Sequence, residues 1–205
     1  MDNRKVLIVC FMVFNIGLLA EPTNTKDHSE LSPISNTEFV TLKENPLAKS
    51  LIGLISQVGQ ISVDGLSQYA LLLKPEQGMP LAGWPVIIFN HGFHPEPFMN
   101  GRRSIDGISD RPGDYYRQIP QSLARHGFLV VVPDYRGHND SAGIEFTLQE
   151  TSARWYARDV LGVVNALDSI NNIDKSHLFM LGHSMGGQVT LLVAGLLGDK
   201  LSGAS

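Results

Sequence analysis

Gly182-His183-Ser184-Met185-Gly186 fits the pattern G-x-S-x-G, which carries information only where a strand gives way to a helix. Both flanks meet that condition. His177 to Leu181 is a short apolar run of strand character, and Gln188 to Leu197 is apolar and helix-permissive. A serine at such a junction is lifted onto a sharp turn with its hydroxyl exposed, so Ser184 is the candidate nucleophile. The turn needs neighbours without a Cβ so that backbones can approach closely. Gly182, Gly186 and Gly187 are expected to supply that clearance.

The rest of the chain reads as strands and helices in alternation. Val86-Ile87-Ile88-Phe89 is a continuous apolar run, as expected of a central parallel strand covered on both faces. Tyr115 to His126 reads as a helix with Ile119 and Leu123 on one face, closed by Gly127; Pro120 allows the regular helix to begin there. Phe128 to Val132 is the next buried strand. Thr147-Leu148-Gln149-Glu150 is a capping-box pattern opening a second helix. Along it Tyr156, Val160, Val163, Val164 and Leu167 form one core-facing stripe, and Asn171-Asn172 ends it. Such alternation implies an α/β class, a mostly parallel sheet with helices on both faces. Upstream, Ile61-Ser62-Val63 and Tyr69 to Leu73 flank Asp64-Gly65, a dipeptide suited to a tight hairpin, so an antiparallel N-terminal hairpin edges the sheet.

The G-x-S-x-G segment resembles the nucleophile elbow of the α/β-hydrolases. Phe89-Asn90-His91-Gly92-Phe93 and Pro133-Asp134-Tyr135-Arg136-Gly137-His138 look like the loops after the third and fourth strands of that fold, the second especially similar to the dienelactone-hydrolase and prolyl-oligopeptidase-like branch. The resemblance runs from about Ile61 to the end. It implies a hydrolase that attacks ester or amide carbonyls through an acyl-enzyme on Ser184, with the backbone N–H groups of Phe93 and Met185 as the oxyanion hole. In that fold the triad's acid and histidine follow the serine, and only 205 − 184 = 21 residues do so here. The expectation is therefore an α/β-hydrolase fold truncated after the nucleophile helix, inactive by itself. A non-catalytic binding protein on the same scaffold and the remnant of a disrupted gene are the alternative readings.

Further site residues follow from position. Pro95 to Asp114 is long for a strand-to-helix connection, and is expected to border the substrate pocket, with Phe98 and Met99 as apolar contacts and Tyr135 helping to wall it. Asp134 and Arg136 read as a loop-organising pair rather than catalytic groups, and His138 as a loop residue. His91 and His94 stand at H-x-x-H spacing, but no helix lies beneath them and no third ligand is near, so they read as loop-shaping residues and no metal or cofactor is expected.

Composition bounds the remainder. With 43% hydrophobic and 18% charged residues and a mean hydropathy of 0.00, the chain has the balance of a globular protein of one domain. A net charge of −4, with no basic cluster beyond Arg102-Arg103, gives no reason to expect nucleic acid. Met1 to Ala20 reads as a signal peptide: Arg4 and Lys5, then an apolar run from Val6 to Leu19, then Ala20 at the cut, although Leu18 is larger than ideal at the −3 position. The run is short of the ~20 residues a membrane span needs. Its removal would take away Asp2, Arg4, Lys5 and Cys10, the sole cysteine, leaving a charge of −4 − 1 = −5 and no possible disulfide. Residues 21–50, rich in Ser, Thr, Asn and charge and carrying Pro22, Pro33 and Pro46, read as a flexible polar leader before a hydrolase-like domain at 51–205. A periplasmic or secreted protein acting on a small ester or peptide is the expectation; the oligomeric state is open.

Overall fold

The computed structural model describes residue 34 and residues 37–44, 51–93, 118–147 and 152–205, with backbone alone at 41–44. Seven strands form one sheet in these residues: β1 (Val40–Glu44), β2 (Leu54–Val63), β3 (Leu66–Pro75), β4 (Trp84–Asn90), β5 (Leu129–Asp134), β6 (Ile173–Gly182) and β7 (Gly203–Ala204). Their order is β1-β2-β3-β5-β4-β6-β7. The strands β1 to β3 run antiparallel and β3 meets β5 antiparallel, while β4 is parallel to both β5 and β6. The mixed sheet has the expected antiparallel N-terminal part and a parallel centre.

Helices cover both faces, and the alternation of side chains decides which. Val86 and Ile88 of β4, with Leu129, Val131, Leu178 and Met180, share a core with α2 (Ser152–Ala166) and α3 (Met185–Leu197). Phe89, Val130 and Val132 face the other way, with Leu71, Leu73 and Ala124 of α1 (Gln118–Arg125). The α2 stripe packs as its period requires: Tyr156, Val160, Val163 and Leu167 are buried and Val164 is partly so. On α1 the inward face differs from the expected one. Ile119 is exposed, whereas Pro120 and Ala124 are buried and Leu123 packs beside them. Pro120 sits in the helix's first turn, where the missing N–H has no intrahelical acceptor to lose.

Two local expectations need correction. Val40–Glu44, inside the stretch read as a leader, form an edge strand paired with β2. Their order comes from partners elsewhere in the chain. Phe39 packs against the core and its N–H donates to Ser169 Oγ at 2.8 Å, and the buried Thr37 hydroxyl donates to the Gly162 carbonyl at 2.8 Å. The second concerns Thr147. Its hydroxyl donates back to the Ile144 carbonyl at 2.8 Å, closing a short 3-10 turn (Ile144–Phe146), and α2 begins at Ser152. Glu150 lies outside the described residues.

The Asp64-Gly65 hairpin holds as expected. Both residues adopt positive φ, 55° and 78°, and the ten-residue strands on either side pair in unbroken register. A Cβ at Gly65 would meet nothing within 4 Å. Gly65→Ala therefore tests conformation without packing. We expect a loss of about 1–2 kcal/mol, read as a shifted urea midpoint at unchanged slope.

Candidate active site

Neighbouring strand ends create the site. In the parallel pair β4–β6, Asn90 lies opposite Gly182, so the loop after β4 and the turn after β6 leave the same end of the sheet side by side. The two are bonded to each other: the His183 N–H donates to the Asn90 carbonyl at 3.1 Å, and Asn90 Nδ2 donates to Thr190 Oγ1 on α3 at 2.8 Å. The first turn of α3 approaches β4 more closely still. A Cβ on Gly186 would collide with the Asn90 backbone and lie 2.5 Å from the His91 carbonyl oxygen. One on Gly182 would overlap the Gly186 carbonyl and lie 2.5 Å from Thr190 Oγ1. These two glycines provide the expected clearance. Gly187 does not, since a Cβ there would touch only Gly182 O at 3.8 Å.

Ser184 occupies the apex with φ 54° and ψ −120°, a conformation that side-chain-bearing residues rarely adopt. Such strain persists only where the surroundings over-determine it. Here the Gly186 and Gly187 N–H groups bond to the His183 and Ser184 carbonyls at 2.8 and 2.9 Å, starting α3. The Ser184 side chain is exposed and makes no cap bond to the helix. The result is a serine on a strained strand-to-helix turn at the carboxyl end of a parallel sheet. Met185, whose N–H is the second expected donor, is the first residue of α3. Phe93 follows β4 by three residues and is largely exposed, at 64%. Phe98, Met99 and His94 lie outside the described residues.

Tyr135 departs from the role expected of it. It is fully buried, stacked between His91 (4.2 Å between ring centroids) and Tyr156 (4.8 Å), and its hydroxyl donates to the His91 carbonyl at 3.1 Å. It lies beneath the loop after β4 instead of on a pocket surface. His138 is buried too, edge-on to both tyrosines, with Nδ1 donating to the Arg136 carbonyl at 3.3 Å. His183, inside the turn, is exposed. Among the described residues no group of three His, Cys, Asp or Glu side chains could hold a metal ion.

Arg136 is organising, as expected, but its partner is not Asp134. It is almost fully buried and binds Asp159 of α2, Nη2 to Oδ1 at 2.7 Å, Nε to the same carboxylate at 3.0 and 3.1 Å, and its backbone N–H to Oδ2 at 2.7 Å. A further bond of 3.1 Å reaches Asp64 in the hairpin turn, and the guanidinium lies 5.0 Å from the rings of Phe146 and Trp155. Asp134 instead accepts from Asn139 Nδ2 at 2.6 Å. Burial pushes the Asp159 carboxyl up to about 6, with the hydrogen bonds and charge of Arg136 pulling the other way. Asp64, partly exposed, is held low, chiefly by its bonds from Arg158 at 2.6 Å. Asp159 escaped the sequence reading; its one signal was a carboxylate inside the apolar face of α2. Removing one partner of a buried pair strands the other's charge. We expect Asp159→Ala to cost about 3–5 kcal/mol in urea unfolding, far more than Asp64→Ala, whose side chain is 29% exposed.

Comparison with known proteins agrees with this geometry. A family described as serine aminopeptidase, S33, matches residues 106–204. A monoglyceride lipase from Rattus norvegicus is 33% identical over 79 residues, covering 38% of this chain and 25% of the lipase. Among solved structures, acetyl xylan esterase 1 from a Thermoanaerobacterium species superposes with a TM-score of 0.55 at 17% identity, over 82% of this chain and 50% of that one. An α/β hydrolase from a Penicillium species gives 0.53 at 20%, over 73% and 44%. The chain thus spans about half, or less, of the length of these relatives. It has the α/β-hydrolase fold, and its residues 106–204 resemble the serine aminopeptidase, S33, family.

Proposed function

We propose that this chain carries the nucleophile and oxyanion half of a serine hydrolase acting on small ester or amide substrates. The observation that carries the reading is Ser184 itself, exposed at φ 54° and ψ −120° at the start of α3. In this reading Ser184 Oγ attacks a substrate carbonyl carbon as its proton passes to a general base. The oxygen of the tetrahedral intermediate takes up the charge and is met by the N–H groups of Phe93 and Met185. Collapse expels the alcohol or amine and leaves an acyl-enzyme, which water then clears. By resemblance the base and its orienting acid follow the serine in chain order. The names of a lipase and an esterase among the relatives favour ester bonds.

A fluorophosphonate probe should label the full-length protein at Ser184 and leave Ser184→Ala unlabelled. Turnover of p-nitrophenyl acetate should fall on the order of 10⁶-fold in kcat in that variant. Equal labelling of the two proteins would remove Ser184 as nucleophile.

Export is the second half of the proposal. It rests on Arg4 and Lys5 preceding the apolar run Val6 to Leu19, with Ala20 at its end. Among the described residues no helix is long and apolar enough to cross a membrane. The N-terminus of protein recovered from periplasm or medium should be Glu21, read by mass spectrometry. Material there that retains Met1 would refute cleavage.

A further inference from the structure

The loop after β4 is held from below by side chains that the reaction itself does not use. His91 Nδ1 lies 2.9 Å from the carbonyl oxygen of Gly92. A carbonyl oxygen only accepts, so the ring proton is on Nδ1 and the imidazole donates. The Gly92 carbonyl and the Phe93 N–H belong to one planar trans peptide, in which C=O and N–H point in opposite directions. Fixing the carbonyl on the buried ring turns the Phe93 N–H away from it. One peptide earlier, the His91 carbonyl accepts from the Tyr135 hydroxyl at 3.1 Å, and this same oxygen faces the clearance left by Gly186. Two successive carbonyls are thus pinned inward. Neither ring is free to drift, since both are fully buried, His91 stacks on Tyr135 at 4.2 Å, and His138 packs 5.0 Å from His91.

We propose that His91 is a positioning residue whose Nδ1–H, by holding the Gly92 carbonyl, aims the Phe93 N–H at the oxyanion, with Tyr135 doing the same for the preceding peptide. The inference rests on the assignment of Phe93 as an oxyanion donor. It predicts a defect confined to the transition state. A substrate's ground-state carbonyl gains little from the donor, whereas the oxyanion gains much.

The test is p-nitrophenyl acetate turnover by the full-length protein. His91→Phe keeps an aromatic ring on Tyr135 and removes the donor. We expect kcat to fall about 10–100-fold, less than the 10²–10³ that follows complete loss of such a donor, with KM and Tm little changed. His91→Asn, whose Nδ2–H can reach the same carbonyl, should recover most of that loss despite packing worse. Tyr135→Phe, which deletes only the hydroxyl, should lose kcat several-fold. A His91→Phe protein that melts normally and turns over like the parent would overturn the proposal. So would His91→Asn being no better than His91→Phe, because a packing role predicts the reverse order. Should His91→Phe fail to fold, Tyr135→Phe decides: unchanged kcat refutes the pinning. Ser184→Ala, run beside these, separates the two levels. Activity surviving that change removes the hydrolase reading itself, whereas its loss alongside normal His91 variants removes only this inference.

Discussion

Gly186 sits against the carbonyls of Asn90 and His91 at a separation that leaves no room for a Cβ, and the arrangement at this end of the sheet follows from that approach. It brings the first turn of α3 onto the end of β4, next to the loop that carries Phe93. The approach also fixes where the chain must turn after β6, which leaves Ser184 at φ 54° and ψ −120°. A conformation of that kind costs on the order of 1–3 kcal/mol. Val189 and Val193 of α3 are both fully buried in the core, and burial contributes about 1.5–3 kcal/mol for each such side chain. The packing of the helix thus exceeds the strain at its start, and the serine is held in place by residues one and two turns away.

A different constraint operates at the loop after β5. Arg136 joins three segments distant in sequence: the hairpin turn through Asp64, its own loop, and α2 through Asp159. A buried ion pair is weak evidence for stability, because desolvating both charges offsets much of their attraction. What the guanidinium adds is direction. Its planar fork meets the Asp159 carboxylate with two nitrogens, Nε and Nη2, while Phe146 and Trp155 lie near it. That arrangement sets α2 relative to the loop bearing Tyr135 and His138. Tyr156 of α2 then stacks on Tyr135, and Tyr135 supports His91. Order imposed by the buried cation is passed to the loop after β4 through three stacked rings.

Much of this was legible in the sequence because it depends on local pattern. The run Val86 to Phe89 has no polar interruption, as a doubly covered strand requires, and the Tyr156–Leu167 stripe has a helical period. The turn at Ser184 was legible because its two glycines, its strand and its helix are contiguous with it. What was missed depends on partners far along the chain. Nothing in Val40–Glu44 marks it as ordered; its order comes from β2 and from Gly162 and Ser169, more than 100 residues away. Asp134 was paired with Arg136 because it is two residues distant, but β5 ends at Asp134 and Arg136 lies in the turn beyond it, where its guanidinium meets a carboxylate on α2. Tyr135 was placed on a pocket wall by its loop, yet an aromatic ring with a polar tip is well suited to burial when a carbonyl waits for its hydroxyl, as the His91 carbonyl does here.

The location of the site has a topological cause as well. The strand β4 lies between β5 on one side and β6 on the other, so the chain leaves β4 toward one edge of the sheet and later returns past it to the opposite edge. In open α/β sheets such a reversal of strand order, here at the carboxyl end of β4, is where ligands bind. The residues at this point come from the two strands whose ends are in register, Asn90 and Gly182. In the proposed mechanism the nucleophile needs exposure, and the donors for its oxyanion need to be fixed. The two adjacent strand ends differ in this respect: Ser184 is raised on an exposed turn, while the first residues of the loop after β4 are anchored through carbonyls that the buried His91 and Tyr135 hold.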